Sequence, residues 1–459
     1  MADLHVIILA AGKGTRMKSA LPKVLHRVGG LPMIAHVMAS ADALHPRSIT
    51  AVVGHQGESL KEALSVHTGL TFVVQEPQLG TAHALLTTEP ALRRASGTIV
   101  VLSGDVPLLS PKTLKTLIDR HQSTGAAATV VTAMVDDPAG YGRIVRSGEK
   151  IARIVEDRDA TEQERAVREI NSGIYAFAVA GLFDALRKIA AENAQREYYL
   201  PDVIALYRTE GRGVETVIVP NADEIRGINS RAELAAVSRI VRQNKNTELM
   251  AAGVTIEDPA TTYVDPLVTI GADTVLHPGV SIEGRTTIGG ACEIHSGVRI
   301  VDSRIGDRVT VNNHCVISES SLSNDSKIGP FAHLRGGATV SEGARVGNFV
   351  ELKKTTLGPG SKAMHLTYLG DAEIGSKVNI GAGTITCNYD GVSKQKTTIE
   401  DGAFIGSDTQ LIAPVTVGKG AYVGSGTTIR ENVPPGALAV SAGKQRNFDD
   451  WVAKKKKRS

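Results

Sequence analysis

From about residue 262 onward, apolar residues return at every sixth position. They run Ile270, Leu276, Ile282, Ile288, Ile294 and Ile300, then Leu322, Ile328, Leu334, Val340, Val346 and Leu352, then Ile399, Ile405, Leu411, Val417, Val423 and Ile429. A step of six matches neither the helical period nor the two-residue alternation of a strand. It fits a triangular solenoid in which each hexapeptide makes one short side and turns one apolar residue inward. Three sides take about eighteen residues, so this half has room for roughly eight or nine coils. The step shortens to five from Ile300 to Ile305 and from Ile317 to Leu322, and "TCNYDGVSKQK" interrupts it. Interruptions in a solenoid become loops on one face, often the binding face. Apolar sides left uncovered predict self-association.

The first half obeys different rules. From residue 1 to about 230, short apolar runs such as "TFVVQ", "TIVVLSGD" and "AATVVTAMV" alternate with helical patterns, which predicts an α/β domain with a mostly parallel sheet. In such sheets ligands bind beyond the carboxyl ends of the strands. The loop in "HVIILAAGKGTRM" and the turn at Asp105 would both lie there. Gly12 and Gly14 let an anion approach the backbone, and Lys13 and Arg16 add charge. The loop is not a G-x-x-x-x-G-K-[ST] loop, because Lys13 stands between the glycines. Nor is it the dinucleotide loop: Met17 replaces the third glycine, and the next strand ends near His55 instead of an acid. Pro22 keeps a long helix from starting directly at the loop. Between the halves, Ser230 and Glu233 have capping-box spacing and Gly253 stands where a helix would stop. The expected division is 1–230, a linker helix over 231–252, and 253–459.

A chain of 459 residues suits two or three domains. With 4% aromatics and 47 glycines, its core is expected to be finely layered, without large anchors. A formal net charge of +3 gives no basic face for nucleic acid. The terminal "KKKKRS" reads as a solvated tail. Without a signal-like start or an apolar run of about 20 residues, the expectation is a cytoplasmic protein with no membrane span. Cys292, Cys315 and Cys387 lack C-x-x-C spacing and imply neither a disulfide framework nor a cysteine zinc site.

The motifs "LAAGKGTRM", "LPKVL", "QLGTAHA", "SGDVPL", "GYGRIV", "EINSGIY" and "GINSR", followed by a hexapeptide solenoid with "GNFVELKK", "HLTYLGD" and "NIGAGTITCNYDG", cover nearly the whole chain. Together they resemble the bifunctional bacterial N-acetylglucosamine-1-phosphate uridylyltransferase and glucosamine-1-phosphate N-acetyltransferase family. The resemblance implies a Rossmann-like nucleotidyltransferase domain, a left-handed parallel β-helix and a homotrimer. It also implies UTP, acetyl-CoA and two sugar phosphates, glucosamine 1-phosphate and N-acetylglucosamine 1-phosphate, as substrates, Mg²⁺ as cofactor, and a product used in cell-envelope glycan synthesis.

Residue by residue, it places Leu9, Ala10, Ala11 and Gly12 against the nucleotide, with Lys13, Arg16 and Lys23 at the phosphates. Gln75, Gly80 and Thr81 would read uracil, Ser103 and Gly104 would lie beside the ribose, and Asp105 and Asn229 would hold Mg²⁺. Ser103 stands where the family often has an aromatic. Gly140, Glu156 and Asn171 would hold the sugar. For acetyl transfer an amine proton must be accepted as the thioester is attacked, a task suited to histidine. Of 13 histidines, His365 in "KAMHLTYLG" matches the family's general base. Arg335 and Lys353 would grip the sugar phosphate, and Tyr368 and Asn379 the sugar. Ala382, Asn388, Tyr389, Ser407 and Ser425 correspond to acetyl-CoA positions. Ala442 replaces a common CoA-phosphate arginine, with Lys444 or Arg446 near enough in sequence to substitute. The alternative is a single-activity nucleotidylyltransferase with the solenoid as a trimerisation scaffold.

Overall fold

The computed structural model describes residues 3–456 except 13, 55, 56, 66, 68, 442 and 444. Lys13, His55, Ala442 and Lys444 therefore lie outside the described residues. The chain divides into two compact units, Met1–Val241 and Arg242–Ser459.

In the first unit the run Val6–Leu9 becomes the strand Leu4–Ala10, which pairs in parallel with Ser48–Val53 on one side and Thr98–Ser103 on the other. Val6 and Ile8 enter one core cluster and Ile7 the opposite one. Burial on both faces is what a β-branched run without polar alternation requires. The sheet continues through Leu70–Val74 beyond Ser48–Val53. The sheet is mostly parallel, as expected, with a strand of opposite direction beyond Thr98–Ser103. Glu169–Ala178 enters antiparallel to both Thr98–Ser103 and Ala128–Met134, and it also pairs with the hairpin strand Arg143–Ser147. A parallel neighbour needs a long crossover, usually helical, whereas the segment before this strand holds a hairpin and one short helix, Glu162–Arg165.

The helix Arg231–Ala251 begins with the expected box. Glu233 N–H donates to Ser230 Oγ at 3.2 Å, and Ser230 N–H donates back to Glu233 Oε2 at 2.8 Å. Gly253, just past its end, has φ +93°, a conformation open to glycine and costly to other residues.

The second unit is a three-sided parallel coil. One side is a sheet of nine strands and the other two sides run together as a 19-stranded sheet. Corresponding residues of the repeat pair between coils, as in Ile270 with Ile288 and Ile288 with Ile305. Each five-residue step thus removes one residue from a coil without breaking the register. The hexapeptide residues are buried throughout. The interruption becomes an excursion after Ile385–Cys387, closed by Gln395 N–H donating to Asn388 O at 2.8 Å. No helix among the described residues is long and apolar enough to cross a membrane.

Candidate active sites

The first site forms at the carboxyl ends of Leu4–Ala10 and Thr98–Ser103. Gly14, with φ +58°, lies so close to Lys23 that a Cβ there would stand 2.6 Å from the lysine's own Cβ. The close approach brings the Lys23 stem under the loop. Its Nζ forms an ion pair with Asp105 Oδ2 and donates to Asn229 Oδ1 at 2.7 Å. Asn229 is itself held at the start of the long helix, its N–H donating to Glu233 Oε2 at 2.6 Å. Two oxygens from distant parts of the chain thus converge on one cationic position.

A cavity of about 480 Å³ opens beside this cluster, lined by Leu9, Ala10, Ala11, Gly12, Lys23, Gln75, Gly80, Thr81, Ser103 and Asp105 among the expected residues. Gln75 is buried and donates from Nε2 to Gly80 O at 2.9 Å. Thr81 Oγ1 accepts from Leu200 N–H at 3.0 Å, and Gly104 N–H donates to Leu9 O at 3.0 Å. Arg16 is exposed on the turn Thr15–Met17 and does not line this cavity, because the short 3-10 turn carries it outward. Gln78, which opens the motif "QLGTAHA" but carries no expected role of its own, and Glu197, which lies in no motif, also line it, and Gln78 holds the loop by donating to Ala11 O.

Glu156 and Asn171 come together around Gly142, two residues beyond Gly140. A register shift between Asn171 and Tyr175 bends the antiparallel strand there. Asn171 Oδ1 accepts from the Tyr175 hydroxyl at 3.0 Å, which leaves its amide donors available. Asn171 and Glu156 flank Gly142: a Cβ on that glycine would stand 3.4 Å from Asn171 Cβ and 3.4 Å from Glu156 Oε1. Burial raises the Glu156 carboxyl above the ordinary range, the charges of Asp202 and Asp159 push it further up, and Arg143 opposes them. Asp202 is itself pushed up to about 6, first by burial and then by Asp159. Tyr141 ties this group to the Lys23–Asp105–Asn229 cluster: its phenol is raised chiefly by burial, with Arg226 opposing and Glu233 and Asp105 among the charges that add to the rise.

In the solenoid, two strands, Arg345–Lys353 and Lys362–Gly370, pair in parallel over most of their length. Arg335 pairs with Lys353 on the adjoining coil, so two cations stand side by side. Arg335 also donates from Nε to Glu351 Oε1 at 2.8 Å. A Cβ on Gly370 would collide with the Tyr368 hydroxyl and the Asn388 amide, so those two groups meet over its bare backbone. The excursion after Cys387 adds a third cation, which sequence reasoning missed: the Lys353 ammonium holds Lys394 below the usual lysine range. Tyr389 is exposed on that excursion, its hydroxyl donating to Gly391 O at 2.6 Å.

His365 stands on the corner just before this face. Asn348 pairs with it on the preceding coil and lies 3.0 Å away, Oδ1 to Nδ1. With the Nδ1–H tautomer donating to that oxygen, Nε2 is left free to accept a proton. Because Val346, Ala363, Ile380, Ile405 and Val423 pair in succession, the residues two beyond each form one column. That column is Asn348, His365, Ala382, Ser407 and Ser425. Small side chains, Ala382, Ser407 and Ser425, follow His365 along it. Asn379 lies apart from the cations, on the side of the coil before the corner, paired with Lys362 and Phe404.

Comparison with known proteins matches three family models along the chain. The MobA-like NTP transferase domain matches residues 6–201, the GMPPB C-terminal domain residues 260–365, and the six-repeat bacterial transferase hexapeptide residues 396–431. Among curated relatives, the "Bifunctional protein GlmU" of Pelobacter propionicus is 48% identical over 460 residues, covering 100% of both chains. Its namesake in Trichlorobacter lovleyi is 48% identical, covering 99% of each chain. That of Syntrophotalea carbinolica is 50% identical, covering 98% of this chain and 97% of its own.

Proposed function

Because this chain belongs to the GlmU family of bifunctional proteins, we propose that its two units catalyse successive steps, acetyl transfer in the solenoid over 253–459 and uridylyl transfer in the α/β domain over 1–230. The chain is an enzyme of UDP-N-acetylglucosamine synthesis: it acetylates glucosamine 1-phosphate from acetyl-CoA, then joins the product to UMP from UTP with release of pyrophosphate. Its fold class is an α/β nucleotidyltransferase domain followed by a left-handed parallel β-helix. The observation that carries the proposal is the presence of two chemically distinct groups, Lys23–Asp105–Asn229 in one unit and Arg335–Lys353–His365 in the other.

In the solenoid, Arg335 and Lys353 bind the sugar phosphate, with Lys394 adding charge. The amine of glucosamine 1-phosphate attacks the thioester carbonyl, its proton passes to His365 Nε2, the new C–N bond forms and the C–S bond breaks, releasing CoA. Asn348 orients the imidazole, and Ala382, Ser407 and Ser425 give acetyl-CoA a small-residue track toward it.

In the first unit, a phosphate oxygen of N-acetylglucosamine 1-phosphate attacks the α-phosphorus of UTP. The bond to the bridging oxygen of the β-phosphate breaks, and pyrophosphate leaves. No base is required, because the nucleophile is already an anion. Gln75, Gly80 and Thr81 hold the base, while Glu156, Asn171 and the Gly140 turn hold the sugar. Lys23 and the loop backbone at Gly12 and Gly14 hold phosphate.

Asp105 and Asn229 fit Mg²⁺: both donors are oxygens, and both already face one cation, the Lys23 ammonium. When bound there, Mg²⁺ would neutralise charge on the triphosphate and on the departing pyrophosphate.

A homotrimer suits the exposed apolar corner next to His365. Phe331 and Phe349 stack at 5.4 Å between centroids and are 50% and 57% exposed, and Leu366 beside them is 66% exposed. A second copy covering that corner would also wall the acetyl-transfer site. A cytoplasmic location would supply UTP and acetyl-CoA.

The test is product analysis by mass after incubation with glucosamine 1-phosphate, acetyl-CoA, UTP and Mg²⁺, omitting each in turn. UDP-N-acetylglucosamine should require all four, and omission of UTP should leave the acetylated sugar phosphate. Uridylylation of supplied N-acetylglucosamine 1-phosphate without acetylation would reduce the solenoid to a scaffold.

A further inference from the structure

On the early coils of the solenoid, outside both groups just described, two histidines face each other between coils. Leu276 pairs with Ile294, so the residues that follow them, His277 and His295, stand in register. Their rings are stacked, with centroids 4.5 Å apart and planes 7° from parallel. Glu293 reaches both: its Oε1 lies 3.4 Å from His277 Nε2 and 3.5 Å from His295 Nε2. The three ligating atoms all lie within 4.8 Å of one another. On the other side of His277, Nδ1 is 2.9 Å from Glu257 Oε2.

These separations carry chemical information. Tetrahedral Zn²⁺ bound at about 2.0–2.1 Å places neighbouring ligand atoms about 3.4 Å apart. The two nitrogen–oxygen pairs already stand at that spacing. A carboxylate accepts, so Glu257 holds the Nδ1–H of His277 and leaves Nε2 as the ring atom that faces Glu293 and can ligate. A carboxylate behind a histidine is the usual support for a metal-bound imidazole. The side chains of His277 and His295 keep 21% and 25% of their exposure, so rotation about their terminal torsions can bring both Nε2 atoms onto one ion. The mixed nitrogen and oxygen set also distinguishes this cluster from Asp105 and Asn229, whose oxygens alone suit Mg²⁺.

We propose that His277, His295 and Glu293 bind a divalent ion of the zinc class, with Glu257 orienting His277 and the fourth position left to water. The site is separate from both transferase reactions, and neither depends on it.

The experiment is titration of the metal-free full-length protein with Co²⁺, followed by the visible bands of the four-coordinate ion and by competition with Zn²⁺ and excess Mg²⁺. One Co²⁺ per chain should bind with those bands, Zn²⁺ should displace it, and Mg²⁺ should not. His295→Ala and His277→Ala should each abolish the bands and leave both transferase activities unchanged, whereas His45→Ala should leave the bands intact. Glu257→Gln, which removes neither a ligand nor volume, should weaken Co²⁺ binding about 10- to 100-fold. It keeps the test decisive where an alanine variant fails to fold. Absence of the bands in the parent protein, or bands that survive His295→Ala, would overturn the assignment and leave the cluster as surface ion pairs.

Discussion

Replacing Leu352 by alanine should separate the two activities. Leu352 has no exposed surface and pairs with Leu334 on one coil and Leu369 on the next, both equally buried. Its chain neighbours Glu351 and Lys353 point outward into the proposed sugar-phosphate site. Truncation of a buried leucine costs roughly 2–5 kcal/mol, the larger values where surroundings cannot collapse. Here each strand is held by hydrogen bonds to coils on both sides, so little collapse is available and the upper half of that range is expected. A repeat structure feels such a loss mainly through nearest neighbours, and the coils on either side carry Arg335 and Tyr368. For a unit of this size the loss corresponds to a fall of roughly 7–20 °C in the midpoint of thermal inactivation of acetyl transfer. The assay follows both activities of one sample after heating at graded temperatures. Uridylyl transfer should keep its wild-type midpoint, and Leu352→Met should cost below about 1.5 kcal/mol. Parallel loss of both activities, or a destabilisation under about 1 kcal/mol by urea unfolding, would refute the reasoning.

Four other outcomes follow from the two sites. Asp105→Asn should abolish most uridylyl transfer in a direct pyrophosphate-release assay while acetyl transfer stays at the wild-type rate. Asn348→Ala removes the partner of His365 and should lower kcat for acetyl transfer about 2- to 10-fold, from a hydrogen bond worth roughly 0.5–1.5 kcal/mol, with KM unchanged in steady-state kinetics. Gly80→Ala should raise KM for UTP and lower stability by roughly 1–3 kcal/mol, since at φ +111° a Cβ would stand 2.6 Å from Tyr198 O; calorimetry and UTP titration read the two effects. Asp202, pushed up from 3.8 to about 6 in the folded chain, binds its proton more tightly there than when unfolded. Its contribution is therefore neutral below about pH 4, falls as pH rises to about 6 and stays unfavourable above. Asp202→Asn should make the first unit more stable at pH 7.5 than the parent, by at most about 3 kcal/mol before solvent screening, with no gain at pH 3.5 in denaturant melts.

The hexapeptide period by itself determined the solenoid. A step of six buries one side chain per short side, and no other regular backbone satisfies that pattern, so Ile270 to Ile429 were legible as core from spacing alone. The two five-residue steps were visible too, and they proved harmless because a coil can lose one residue at a corner while its strands stay in register. Likewise the alternation of apolar runs and helical patterns specified an α/β unit, and the Ser230–Glu233 spacing specified where the linking helix begins, since capping is settled within one turn of chain.

Tertiary structure alone decided what those elements bring together. No local pattern encodes the antiparallel direction of Glu169–Ala178, because strand direction depends on the connection that precedes it and on which edge is free. Lys23 meets Asn229 across 206 residues only once the sheet and the long helix have formed. The column from Asn348 through His365 to Ser425 is spaced 17, 17, 25 and 18 residues, a series no periodicity predicts. It exists because the excursion after Cys387 leaves the coil and returns in register, so that parallel hydrogen bonding, and not sequence distance, sets which side chains stand beside the histidine.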